Sequence, residues 1–175
     1  MNEMSQFTKD ILEAIQEAQD EIGYVPKPPS EGEIPANSLV VDFLLVQNTR
    51  GYIEKTVHQI NGCYEHGWYD ACAVMLRKLI ETLIIEAFEN NGIQAKIKMT
   101  DGNYIALDEL VTKTLDETSW SLGRNAKQAL PKLKHLGNES AHSRRFNARR
   151  NDLEKLLPEI RTAVEELLYV ANLKK

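Results

Sequence analysis

Apolar positions recur at steps of three and four over most of this chain, the spacing that gathers side chains on one face of a helix. Met4, Phe7, Ile11, Ile15, Ala18 and Ile22 predict an amphipathic helix over residues 5–22. Residues 23–36 break the pattern with Pro26, Pro28, Pro29 and Pro35 beside Gly23 and Gly32, and read as a linker, because proline fixes φ and removes a donor. Residues 1–36 are thus expected to be an arm, with a helical domain over 37–175. An apolar run over 39–46 leads to a helix marked by Tyr52, Ile53, Val57, Ile60 and Tyr64 that ends near His66-Gly67. The broadest stripe follows over 68–90, wide enough for burial on more than one side, and Asn91-Gly92 supplies a left-handed stop.

The period loosens between Ile93 and Ile105, where Asp101-Gly102 between two short apolar stretches signals a small β-hairpin. Leu107, Leu110, Val111, Thr114 and Leu115 restore helical spacing, and a short helix is expected over 122–136, limited or kinked by Pro131. Leu153, Leu156, Leu157, Ile160, Val164, Leu167, Leu168 and Ala171 keep one register across Pro158, which predicts a single kinked helix. The expected class is all-α, a bundle of four or five core helices with an N-terminal helical arm.

Composition narrows the function classes. The chain is 42% hydrophobic and 27% charged, as in ordinary soluble domains, and has no apolar run near the roughly 20 residues of a membrane span. Its N-terminus lacks the basic and apolar parts of a signal peptide, so a cytoplasmic location without membrane contact is expected. Cys63 and Cys72 have neither a CxxC spacing nor disulfide-framework density, and the four histidines form no HExxH. No metal or other cofactor is expected.

Charge is distributed unevenly. Residues 124–150 hold eight Lys or Arg against one acid, Glu139, about +7 in a chain of net charge −5, which leaves about −12 elsewhere. So local an excess suits an anionic partner, although a solvated basic face with no partner is the alternative. At its centre stands Gly137-Asn138-Glu139-Ser140-Ala141-His142, where Gly137 can end one helix and Asn138 can cap the next, giving a turn that carries a histidine. On the long helix Arg77 and Glu81 lie one turn apart, as a structural ion pair or as a brace for that turn.

The order Gly67-Trp68-Tyr69-Asp70-Ala71, then Arg77-Lys78-Leu79-Ile80-Glu81, then Leu136-Gly137-Asn138-Glu139-Ser140-Ala141-His142 before a helix ending Leu167-Leu168-Tyr169 resembles the HEPN superfamily. The branch it is most similar to comprises uncharacterised bacterial domains with an R-x-x-x-E helix and a GNxxAH turn. The resemblance spans about residues 45–172. It implies an up-and-down helical bundle, commonly a homodimer in which two His-bearing loops meet, and an association with stress response or defence against foreign genetic elements. Active members are metal-independent endoribonucleases with Arg, four to six residues, then His. Here the positions that spacing allows before His142 are Gly137, Leu136 and His135, and none is Arg; Lys134 is one residue too far and Arg144 and Arg145 follow the His.

The expectation is therefore a homodimeric binding or regulatory module with a degenerate ribonuclease motif. His142 and Asn138 would organise the turn, Arg77 and Glu81 would support it, and Glu81 or Asn138 would fix the imidazole tautomer. Lys132, Lys134, Arg144, Arg145, Arg149 and Arg150 would contact an RNA or nucleotide phosphate. Two alternatives stay open. One is cleavage, with His142 as general acid or base and a relocated cation beside it. The other is a structural dimerisation domain whose basic block pairs with Glu13, Glu17, Asp20 and Glu21 of another arm, which would make the partner a protein.

Overall fold

The computed structural model of the chain describes residues 9, 11, 14 and 39–174. Apart from those first three positions, the expected arm helix and the proline-rich linker lie outside the described residues. The rest is all-helical, with no strand among the described residues. In chain order the helices are α1 (Phe43–Val46), α2 (Gly51–Glu65), α3 (Tyr69–Asn90), a 3-10 turn (Gln94–Ile97), α4 (Leu107–Asp116), α5 (Arg124–His142), α6 (Arg150–Glu154) and α7 (Leu157–Val170).

α3 is the axis of the bundle. Its 22 residues bury Cys72, Ala73, Leu76, Leu79, Ile80, Leu83, Ile84, Ala87 and Phe88, and the helix packs on α2, α4, α5, α6 and α7. The wide stripe is thus covered from several sides, as its sequence requires. Its largest contact is with α5, which runs antiparallel to it: Arg77 meets Asn138 near one end, and Phe88 meets Trp120, just before α5, near the other.

Three helices end in the same way, for a reason that glycine and asparagine supply. At the end of α3, Gly92 takes φ +71°, its N–H donates to Glu89 O (2.9 Å), and Ile93 N donates to Phe88 O (3.0 Å). This pairing satisfies carbonyls that the last helical turn leaves open. Gly67 does the same after α2, with φ +75°, and Asn172 after α7, with φ 55°.

Polar side chains close the remaining gaps. Buried Asn61 on α2 accepts from Val40 N (3.0 Å) and Val41 N (3.1 Å) and donates to Val41 O (2.8 Å), which pins the entering segment. Asn90 and Asn91 donate to Ala171 O and Val170 O, both at 2.9 Å, and so tie α7 to the end of α3. The buried Glu86 carboxylate accepts from the Tyr52 hydroxyl and from Asn90 Nδ2 (3.1 Å), with Arg50 Nε at 3.7 Å. A carboxylate so placed is compensated rather than stranded.

Three expectations are corrected. Residues 124–142 form one helix of 19 residues with Pro131 inside it, longer than the segment read from the sequence; Pro131 is exposed, so solvent can replace the donor it lacks. The terminal segment is two helices, α6 and α7, separated at Lys155 and Leu156, because Pro158 occupies the first turn of α7, where its missing N–H costs nothing. The Asp101 region is a turn closed by a single antiparallel bridge between Lys98 and Tyr104, and Lys96 and Ile97 belong to the 3-10 turn.

At the end of α4, Glu117 accepts from Lys96 Nζ (2.7 Å), Ser119 N (3.0 Å) and Thr118 N (2.9 Å). The lysine first and these amides next lower its pKa from 4.5 to about 2. A folded-state pKa below the unfolded value contributes stability that is complete above about 4.5 and disappears as pH falls through about 2. Urea denaturation from pH 7 to pH 2 should show Glu117→Gln destabilised at neutral pH and converging with the parent chain at the acid end. A constant difference would contradict the assignment.

Candidate functional site

The GNESAH segment is not a turn. It is the last part of α5, and Gly137 lies within the helix rather than at a left-handed cap. Glycine is needed there for a different reason. A Cβ at position 137 would stand 2.5 Å from Arg77 Cβ and 3.1 Å from Ala73 O, so the two helices cross too closely for any side chain. The residue after it uses that proximity: Asn138 Oδ1 accepts from Arg77 Nε at 2.8 Å. Arg77 Nη1 in turn lies 3.5 Å from Glu81 Oε2. The expected neighbours Arg77, Glu81 and Asn138 therefore form one half-buried array between α3 and α5.

His142 is outside that array. It is the last residue of α5, it is exposed, and its imidazole has no hydrogen-bond partner among the described residues, so neither Glu81 nor Asn138 sets its tautomer. After it the chain folds back over the start of α3. Ser143 Oγ accepts from Phe146 N (3.3 Å), Ala148 N donates to Asp70 Oδ1 (2.9 Å), and Arg149 N donates to Asp152 Oδ2 (2.9 Å). Phe146 is half-buried against the core.

The basic block divides into two kinds of cation. Lys132 pairs with Glu159 of α7 (3.3 Å), Lys134 with Asp108 of α4, and Arg150 with Glu154 (2.8 Å). Arg150 also lies over the ring of Tyr64, whose hydroxyl donates to Glu154 (3.0 Å). Arg150 first, then Tyr64, lower the pKa of Glu154. Arg144, Arg145 and Arg149 are exposed and face no acid at salt-bridge distance among the described residues. The six predicted cations thus do not share one surface: Lys132 and Lys134 face different neighbouring helices, and the four arginines gather on the segment after His142.

Two elements of this region had no role assigned from sequence. Asp70 holds the 143–149 segment, yet an acid in the first turn of a helix reads equally well as a partner of the helix dipole. Trp68 sits at the N-cap of α3 with 42% of its surface exposed, and its ring lies 5.1 Å from that of His66. Burial raises the pKa of Cys63 and pushes that of Cys72 to about 12, away from the thiolate form in both cases. Among the described residues, no group of three or more His, Cys, Asp or Glu could hold a metal, and no helix is long and apolar enough to cross a membrane.

Residues 58–175 match the family described as Domain of unknown function (DUF4145). The chain belongs to that family. The DUF4145 match starts within α2 and takes in Trp68, Asp70, Arg77, Glu81, Asn138, His142 and the arginines after it. No curated protein and no solved structure matches the chain.

Gly137→Ala should cost about 1–3 kcal/mol, the usual range for overpacking, and lower the melting temperature by about 2–4 °C for each kcal/mol. An unchanged melting curve would contradict the close crossing. A double-mutant cycle of Arg77→Ala and Asn138→Ala, read by urea denaturation, should give a coupling of about 1 kcal/mol. Strict additivity would mean that the hydrogen bond stabilises nothing.

Proposed function

We propose that this DUF4145 chain is a HEPN-like homodimeric binding or regulatory module that engages RNA through the arginine segment following His142. What carries the reading is the set of three exposed guanidinium groups, Arg144, Arg145 and Arg149, with no acid of the described residues paired to them, on a loop held in place by Asp70. Guanidinium forks suit phosphate oxygens, and a fixed loop presents them without a large ordering cost. Arg150 adds a fourth cation at the edge, since its ion pair with Glu154 is exposed and screened by solvent, so a phosphate can take the place of the carboxylate.

Binding is favoured over cleavage because Gly137, Leu136 and His135, the positions at the spacing of active HEPN members, are not Arg. Transition-state stabilisation needs a cation beside the imidazole, and Arg77 is instead engaged with Asn138 and Glu81. The dimer, and any association with stress response or defence, rest on the resemblance to HEPN proteins alone.

The test is anisotropy of labelled single-stranded RNA between 50 and 200 mM salt. Each phosphate contact contributes about 0.7 to the slope of log affinity against log salt, so replacing Arg144, Arg145 and Arg149 together by Ala should reduce the slope by about 2. Equal slopes would remove the arginines from the interface. Absence of RNA binding, with a dimer seen by sedimentation, would favour the structural dimerisation domain. Metal-independent RNA cleavage that vanishes in His142→Ala would replace binding by catalysis.

A further inference from the structure

Trp68 occupies a position that helix chemistry does not favour. It is the N-cap of α3, where Ser, Thr, Asp or Asn is preferred, and like most N-caps of the bundle its side chain makes no capping hydrogen bond. Nor does burial explain the indole, which is 42% exposed while most large apolar side chains of the bundle are covered. A large aromatic ring left half-exposed at the end of α3 to which Asp70 ties the arginine segment is a candidate for recognition.

The turn that carries the indole is closed by backbone hydrogen bonds. Gly67 at φ +75° lets the chain reverse, Trp68 N donates to Cys63 O (2.8 Å), and Gly67 N donates to Tyr64 O (3.1 Å). His66 lies against the indole with ring centroids 5.1 Å apart and planes at 32°, and its Nδ1 is 2.8 Å from Gly62 O. Two residues further on, Asp70 binds Ala148 N, which brings the arginine segment to the same end of α3. On the other side of the turn, Tyr64 packs edge-on to Tyr69 (5.7 Å) and lies beneath Arg150 (5.9 Å).

We infer that Trp68, with His66 beside it, is a stacking platform for an unpaired nucleobase whose flanking phosphates lie on Arg144, Arg145 and Arg149. The ligand class is single-stranded RNA, because a base in a duplex is stacked on its neighbours and cannot present its face to an indole. The inference rests on the RNA-binding reading and extends it from the backbone to the bases.

Trp68 and Trp120 are the two tryptophans of the chain, so Trp120→Phe leaves the platform as sole reporter. In that background, an octamer of uridylate should quench tryptophan fluorescence, and inorganic polyphosphate should bind without quenching. Trp68→Ala should weaken binding of the octamer by about tenfold and leave polyphosphate binding unchanged, whereas Trp68→Phe, which keeps a ring, should restore most of the loss. Thermal melts of each variant separate lost stacking from lost folding. Octamer binding equal in all variants and without quenching would overturn the platform while leaving the RNA reading standing. No octamer binding by the parent chain would defeat that reading and the platform with it. A shift from dimer to monomer in Trp68→Ala, with RNA affinity unchanged, would make the indole a protein contact and overturn the inference.

Discussion

The arrangement depends on the absence of one side chain. Because position 137 has no Cβ, α5 can lie directly on Ala73 and Arg77 of α3, and that approach fixes where the rest of α5 and the segment beyond it can go. It puts Asn138 within hydrogen-bonding distance of Arg77, and the antiparallel run of α5 delivers His142 to the N-terminal end of α3. There Asp70 takes hold of the returning chain. A wider crossing would break the Arg77–Asn138 bond and move the whole arginine segment away from Trp68.

Elsewhere the bundle leaves few polar groups without compensation, and this is what distinguishes the end formed by residues 142–149. Asn61, Glu86, Asn90 and Asn91 each satisfy a group that burial or a helix end would otherwise leave open. Leaving such groups unpaired in the interior costs about 1–3 kcal/mol apiece. Arg144, Arg145 and Arg149 are under no such pressure, since water solvates them, so their clustering has no structural explanation in the fold. Surface charge is cheap to keep and easy to use, and a phosphate competes with solvent rather than with a buried partner.

Much of the fold is legible in the sequence because burial imposes period and stop signals directly. The stripe of α3 and its Asn91-Gly92 end follow from spacing and from one positive φ. The misreadings share a cause: glycine and proline each have two uses that a sequence alone does not separate. Gly137 reads as a left-handed turn residue, but its role is to let another helix approach, and that depends on what lies opposite. Pro158 reads as a kink because the apolar register passes through it, but it begins a helix whose predecessor ends at Glu154. The pairing of Arg77 with Glu81 is readable from one-turn spacing. That Lys132 and Lys134 diverge to different helices is not, because a charge run carries no information about which neighbour each residue will face.

We propose that one end of the bundle, formed by the Gly67-Trp68 turn and the segment after His142, is a surface for single-stranded RNA. Photo-cross-linking of the full chain to an oligonucleotide carrying 4-thiouridine, with the modified residues located by mass spectrometry, tests it most directly. Adducts are expected at Trp68 and within residues 142–150. Adducts confined to the opposite end, around Tyr52 and Tyr104, or cross-linking no greater than that of an unrelated acidic protein, would contradict it.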